Sequence, residues 1–369
     1  MRRGILSAGI AVLTTAVLQV ALPSAQQPSP LFTQGGSIPV LDSYLEALRQ
    51  QAGIPGMAAA VMLDGETVWE KGYGFANTAT RERVTPDTPF MVGDMSGTLA
   101  AVLLLQCVEQ RHLELDQPVS RYGLSSPEPD ATLRGLLSHA APGAGRVTGG
   151  EPFAYSPERY SSLTALMEWC APQPYRKSVS HRVLNRLAMR DSVPGTDLID
   201  PNLALPDDLF APDELERYRT VLQRIAVPYK VTGRTRADRM ELPVAPMTAS
   251  GGLVSTVRDL ARLDRALSPN GVLLLDETLA AAWTPAFDRS GQATPMGLGW
   301  FVQFHRGERV VWHFGQVPNA YSALILKLPL KRITFILLAN SDGLSNPFQL
   351  QSGDVTRSLF ATIFLKLTT

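Results

Sequence analysis

The chain has 369 residues, 45% of them hydrophobic and 18% charged, and its 34 basic side chains are balanced by 34 acidic ones. That length holds one large domain or two smaller ones, and that composition excludes a disordered polymer. With zero net charge and no block of like charge there is no basic footprint, which argues against a nucleic-acid partner.

In chain order, Arg2 and Arg3 precede an apolar run over 5–22, and small and polar residues follow through Ala25, Gln26 and Gln27. This reads as a secretory signal peptide over 1–25, cleaved after Ala25, with a linker over 26–37. Pro23 stands where an A-x-A site wants a small residue, and the run is nearly long enough to stay in a bilayer as an uncleaved anchor. Either way the body of the protein is expected to be exported, periplasmic or secreted, touching a membrane only through that segment. Cys107 and Cys170 are the two cysteines. They form either one disulfide, worth about 4 kcal/mol by the chain-entropy estimate, or two small buried apolar side chains. Their apolar helical contexts favour the second reading.

Leu41, Leu45 and Leu48 make one helical stripe that ends at Gly53 to Gly56. Apolar runs over 58–63 and 66–74 flank Asp64-Gly65, a strong hairpin signal. Phe90-Met91-Val92-Gly93-Asp94-Met95-Ser96-Gly97-Thr98-Leu99 reads as a turn feeding a helix that stays apolar through Val108. A helix apolar on nearly all faces belongs inside a fold, with its first unpaired N–H groups facing whatever lies ahead. A helical block follows over 155–189, where Arg176, Lys177, Arg182, Arg186 and Arg190 alternate with Val179, Val183, Leu184 and Leu187. The pattern predicts a solvated basic face opposite a packed one. Prolines and acids over 191–213 predict a loop-rich excursion, and a helix is expected over 257–267. Strand-like runs over 297–304, 309–314, 321–328 and 333–339 predict antiparallel pairing with the early hairpin, covered by a last helix over 355–367.

The central segment resembles the start of the nucleophile helix in the class C β-lactamase, penicillin-binding-protein and esterase family. There an F-x-x-G-S-x-S-K turn supplies a serine nucleophile and a lysine base through S-x-x-K. Gly93 matches, Asp94 holds the nucleophile position and Gly97 the lysine position. Further resemblances fall in family order. They are Leu115-Asp116-Gln117-Pro118-Val119, Thr132-Leu133-Arg134-Gly135-Leu136-Leu137-Ser138-His139, Tyr155-Ser156-Pro157-Glu158-Arg159-Tyr160, Gly251-Gly252-Leu253-Val254-Ser255-Thr256 and His313-Phe314-Gly315. Together they cover about 41–342. The resemblance implies an α/β (α+β) fold of the β-lactamase/transpeptidase type: an antiparallel sheet flanked by helices, with an inserted all-helical lobe. The sheet lobe is expected over about 38–90 and 245–369, and the helical lobe over about 91–244, within one domain at 38–369.

Acyl transfer by this machinery needs a hydroxyl at the helix start, a base beside it and N–H donors for the oxyanion. Asp94 supplies a carboxylate, which the helix terminus should hold ionised as an N-cap and which would crowd the oxyanion donors with negative charge. Gly97 removes the base. Ser96, the remaining hydroxyl, lies two residues on and about 200° around the helix. By resemblance Tyr155 is the proton-shuttling phenol of the second motif, with Pro157 replacing its asparagine partner. His313 is the cation of the third motif and is expected to pair with Asp94, while His139 and Asp116 are expected to be structural. Asp94, Tyr155 and His313 are therefore the catalytic-position residues, and Gly315, Gln316 and Ser96 the substrate-binding ones. No histidine has ligand-like spacing and no phosphate-binding loop follows a strand, so no metal or cofactor is implied. The expectation is an exported, catalytically degenerate family member that binds a small molecule, peptide or partner. The resemblance implies peptidoglycan peptides, β-lactams or esters as the ligand class. The alternative is an active hydrolase using Asp94, Tyr155 and His313, or a shifted nucleophile at Ser96.

Overall fold

The computed structural model describes residues 37–123, 130–140, 153–233, 236–287 and 291–369. The expected signal peptide over 1–25 and almost all of the linker lie outside them. Among the described residues no helix is long and apolar enough to cross a membrane.

Helix α1 (Ser37–Gln51) leads into β1 (Gly56–Leu63) and β2 (Glu66–Asn77), then the short strands β3 (Glu82–Arg83) and β4 (Phe90–Met91). A single 3-10 turn, Gly93–Met95, opens α2 (Ser96–Glu109), which is followed by α3 (Leu133–Leu137), α4 (Pro157–Cys170) and α5 (Tyr175–Val179). Strand β5 (Val193–Pro194), α6 (Pro212–Gln223), β6 (Tyr229–Val231), β7 (Ala237–Arg239) and β8 (Leu253–Ser255) come next, then α7 (Val257–Ala266) and α8 (Asp276–Ala282). Strands β9 (Phe301–His305), β10 (Glu308–Val317), β11 (Tyr321–Leu328) and β12 (Ile333–Ala339) precede the final helix, α9 (Leu359–Thr368).

The large sheet runs β3-β2-β1-β12-β11-β10-β9, antiparallel throughout. Two turns fix its register. Asp64 and Gly65 take φ of 56° and 80°, and Arg306 and Gly307 take 50° and 82°. Two consecutive left-handed residues make the tight hairpin turn whose twist matches that of the strands. Side chains alternate across the pleat. Ala58, Ala60, Ile325, Ile336 and Leu338 join one core with α2 and α7, while Ala59, Val61, Trp312, Leu324, Phe335 and Leu337 join a second core with α1 and α9. Helices thus flank an antiparallel sheet in a mixed α/β fold. Helix α2 is buried from Ser96 through Cys107, as its unbroken apolar run requires.

Three local readings change. Cys107 and Cys170 are bonded, with Cα atoms 6.4 Å apart, so the apolar-thiol reading gives way to a disulfide that ties α2 to the end of α4. The block over 155–189 breaks at Pro172 and Pro174, then resumes as α5 and a turn of π-helix over Ser180–Asn185. Its basic stripe is solvated only in part: Arg186 and Arg190 are exposed, while the first residues find partners in the fold. Arg176, buried, forms an ion pair with Asp197 at 2.7 Å, Lys177 reaches Asp208 at 2.9 Å, and Arg182 donates to Gln106 Oε1 at 2.7 Å. The acids of the 191–213 excursion supply two of these partners.

Candidate functional site

Strand β9 pairs with β10 only as far as Trp312, so among the described residues the stretch from His313 to Val317 has one edge without a strand partner. The 3-10 turn that opens α2 sits against that stretch. Two glycines make the approach possible. Gly93 has φ +56°, and a Cβ there would meet the Gln316 backbone at 2.6 Å; a Cβ on Gly315 would meet the Val92 carbonyl oxygen at 1.7 Å. Neither position tolerates a side chain, so the loss of glycine at either would push the turn off the strand.

Seated there, the Asp94 carboxylate feels the backbone N–H of Gln316, which favours its charged form. It does not cap α2: the helix begins at Ser96, and no side chain caps either the 3-10 turn or the helix. The expectation of a carboxylate held ionised by the helix terminus also changes. Burial pushes the Asp94 pKa up to about 7, with the Gln316 N–H pulling weakly the other way. One N–H donor and a helix end do not offset the loss of water around the charge.

Asp94, Gly97, His139, Tyr155, Pro157, Tyr160, Ser250 and His313 line one small cleft, whose volume open to a water centre is about 10 Å³. The three residues expected at catalytic positions therefore do converge. The contacts between them differ from expectation. His313 Nδ1 lies 2.6 Å from the Phe314 carbonyl oxygen, which assigns the proton to Nδ1, and burial lowers its pKa to about 4. A neutral His313 forms no ion pair with Asp94. Tyr155 contacts His139, Phe301, His313 and Phe314 through its ring, with centroids 4.7, 5.3, 6.1 and 5.3 Å away. Burial first, and then the negative charge of Asp94, raise its phenol well above the ordinary range. No hydrogen bond between Tyr155 and Asp94 is found among the described residues.

The substrate-binding positions separate. Gln316 contributes its backbone N–H. Gly315 makes room for the chain's own Val92 carbonyl. Ser96 points away from the cleft, fully buried, donating to the Gly93 carbonyl at 2.8 Å and accepting from Leu253 N–H at 3.4 Å. These bonds to the turn and to β8 are what hold it out of the cleft.

Besides Gly97, four lining residues were not expected as site residues. His139, at the end of α3 with φ 53°, turns its ring into the cleft, stacks on Tyr160 at 5.1 Å and accepts the Ser156 N–H on Nδ1 at 3.1 Å. Burial lowers its pKa to about 3. Tyr160 donates to the Leu137 carbonyl at 2.7 Å, and its ring lies 3.2 Å from where a Gly97 Cβ would stand, which explains a glycine inside a buried helix. Ser250, in the turn before β8, is hydrogen-bonded to Ser161 and Thr248 at 2.9 and 3.1 Å. Pro157 stands at the first position of α4, where its missing N–H is no loss. Among the described residues no three His, Cys, Asp or Glu side chains converge as metal ligands would.

The beta-lactamase family model matches residues 41–352, which include every cleft residue above. The serine beta-lactamase-like protein LACTB, mitochondrial, of Mus musculus is 31% identical over 125 residues, 31% of this chain and 23% of that protein. The chain thus aligns with less than a quarter of that relative's length. Penicillin-binding protein 4 of Amycolatopsis lactamdurans is 27% identical over 354 residues, 87% of each chain. The octameric penicillin-binding protein homologue from Pyrococcus abyssi shares the fold with a TM-score of 0.70 at 21% identity, over 90% of this chain and 78% of that one. With the match over 41–352 and that shared architecture, the chain belongs to the beta-lactamase family, a serine-hydrolase family.

Proposed function

We propose that this family member does not acylate and serves as an exported ligand- or partner-binding pseudoenzyme. The observation that carries the reading is the Asp94 carboxylate standing in the cleft at the nucleophile position: it is an acceptor where acyl transfer needs a hydroxyl, and it sets negative charge beside the Gln316 N–H, a donor that a developing oxyanion would need. Gly97 in place of a base, with the Tyr160 ring against it, supports the same reading. The Cys107–Cys170 disulfide supports export, since such bonds persist in oxidising compartments. The ligand would be a small molecule or peptide, with cell-wall fragments as the class the family resemblance brings forward.

The test is intact-mass analysis after incubation with a fluorophosphonate and, separately, a penicillin, on the wild type and on Asp94→Ser. No adduct on the wild type is expected. A wild-type adduct that disappears in Ser96→Ala would overturn the proposal in favour of a displaced nucleophile.

One observation favours a second reading, a slow hydrolase in which Asp94, Tyr155 and His313 activate water. A carboxylate with a pKa of about 7 is suited to take a proton at neutral pH. Ester turnover lost in Asp94→Asn, with no covalent adduct at any time, would select this reading over the first.

A further inference from the structure

The mouth and floor of the cleft differ in chemistry. Asp94, Tyr155 and Ser250 are half-buried and reach solvent, whereas His139, Tyr160 and His313 are buried beneath them. The mouth therefore presents three oxygen functions around a space of about 10 Å³, room for one water-sized group. None of the residues lining the space carries a positive charge at neutral pH, because burial keeps both imidazoles neutral. The Gln316 N–H acts on Asp94, favouring its charged form. A carboxylate entering this space would meet a carboxylate and find no cation among the lining residues.

A primary ammonium is the complementary group. It carries three N–H donors, no acceptor and a positive charge, to set against one carboxylate and two hydroxyl oxygens. Aromatic rings lie just below, and their faces favour a cation over an anion. We propose that the cleft takes the ammonium head of a small primary amine, with Asp94 as counter-ion and the Tyr155 and Ser250 oxygens as acceptors. The inference rests on the reading of a non-acylating cleft and names its ligand class. It makes Asp94 a recognition group: the substitution that removes a nucleophile installs a cation site.

The test is calorimetric titration of the purified wild-type protein with methylammonium chloride and with sodium acetate. Methylammonium should bind at pH 8 and acetate should not. Asp94→Asn, nearly isosteric and still able to accept from Gln316, should weaken methylammonium binding about tenfold or more. Repeated at pH 6 in buffers of different protonation enthalpy, binding should release a proton, since the cation favours ionised Asp94. Tyr155, Tyr160, His139 and His313 face the same space and each is held neutral there, and the charge of Arg159, felt at His139, is permanent, so Asp94 is the group expected to give the proton up. Acetate binding as tightly as methylammonium, methylammonium binding without proton release at pH 6, or unchanged affinity in Asp94→Asn would each overturn the assignment. A covalent adduct in the labelling experiment would instead overturn the pseudoenzyme reading and leave the amine result to stand on its own.

Discussion

Asp94→Asn should stabilise the protein at neutral and alkaline pH. The unfolded chain releases the Asp94 proton near 3.8, whereas the folded state holds it to about 7. Between those values the folded state binds a proton that the unfolded state lacks, so stability falls as pH rises through the window and is level above it. The full gap corresponds to about 4 kcal/mol. Because the carboxylate is half-buried and partly hydrated at the cleft mouth, the loss should be roughly 2–4 kcal/mol. Asparagine keeps the shape and the acceptor for Gln316 but has no charge to bury. Urea unfolding of both proteins at pH 4, 5, 6, 7 and 8 reads the effect directly through the midpoint and its slope. The variant should gain on the wild type steadily from about pH 4 to pH 7, then run parallel to it. A stability difference that stays constant from pH 4 to pH 8 would mean that Asp94 titrates alike in both states, and the argument from burial would fail.

Gly315→Ala should abolish soluble folded protein or lower its melting temperature sharply, because the new Cβ would sit 1.7 Å from the Val92 carbonyl oxygen and neither backbone can yield; a variant melting like the wild type would refute that contact. Reduction of Cys107–Cys170, or Cys107→Ser, should cost about 4 kcal/mol for a loop closed over 63 residues, measured by denaturant unfolding with and without reductant. Lys327, buried, pairs with buried Asp264 at 2.6 Å beneath the rings of Trp283 and Trp300. Lys327→Met alone should cost roughly 3–5 kcal/mol by stranding the carboxylate, while Lys327→Met with Asp264→Leu should recover most of the loss; equal costs for single and double variants would show that the pair is not coupled.

Much of the architecture is legible in the sequence, because the signals for it are local. Asp64-Gly65 and Arg306-Gly307 sit at the two tight turns, strand limits over 321–328 and 333–339 coincide with β11 and β12, and the helix expected over 257–267 is α7. What the sequence hides is pairing across distance. Nothing near Arg176 or Lys177 announces Asp197 or Asp208, so an alternating basic stripe reads as a solvated face although Arg176 is paired inside the fold and Lys177 is paired at its surface. The disulfide is hidden in the same way: an apolar helix is equally good surroundings for a buried thiol and for half of a bridge.

The site divides along the same line. Motif order places Asp94, Tyr155 and His313 in one cleft without any coordinates, because motifs record where the chain must pass. Motif identity does not say how the groups meet. An ion pair between Asp94 and His313 follows from chemistry in water, where opposite charges attract and both groups ionise readily. In the cleft, burial works on both groups in the neutral direction, raising the acid to about 7 and lowering the imidazole to about 4. His313 finds a backbone partner in the Phe314 carbonyl, and the Gln316 N–H, on the stretch of β10 beyond its pairing with β9, favours the charged form of Asp94. A carboxylate held this way, above neutral rings, either takes up a proton or meets a cation, and the proposed ammonium would compete with that proton.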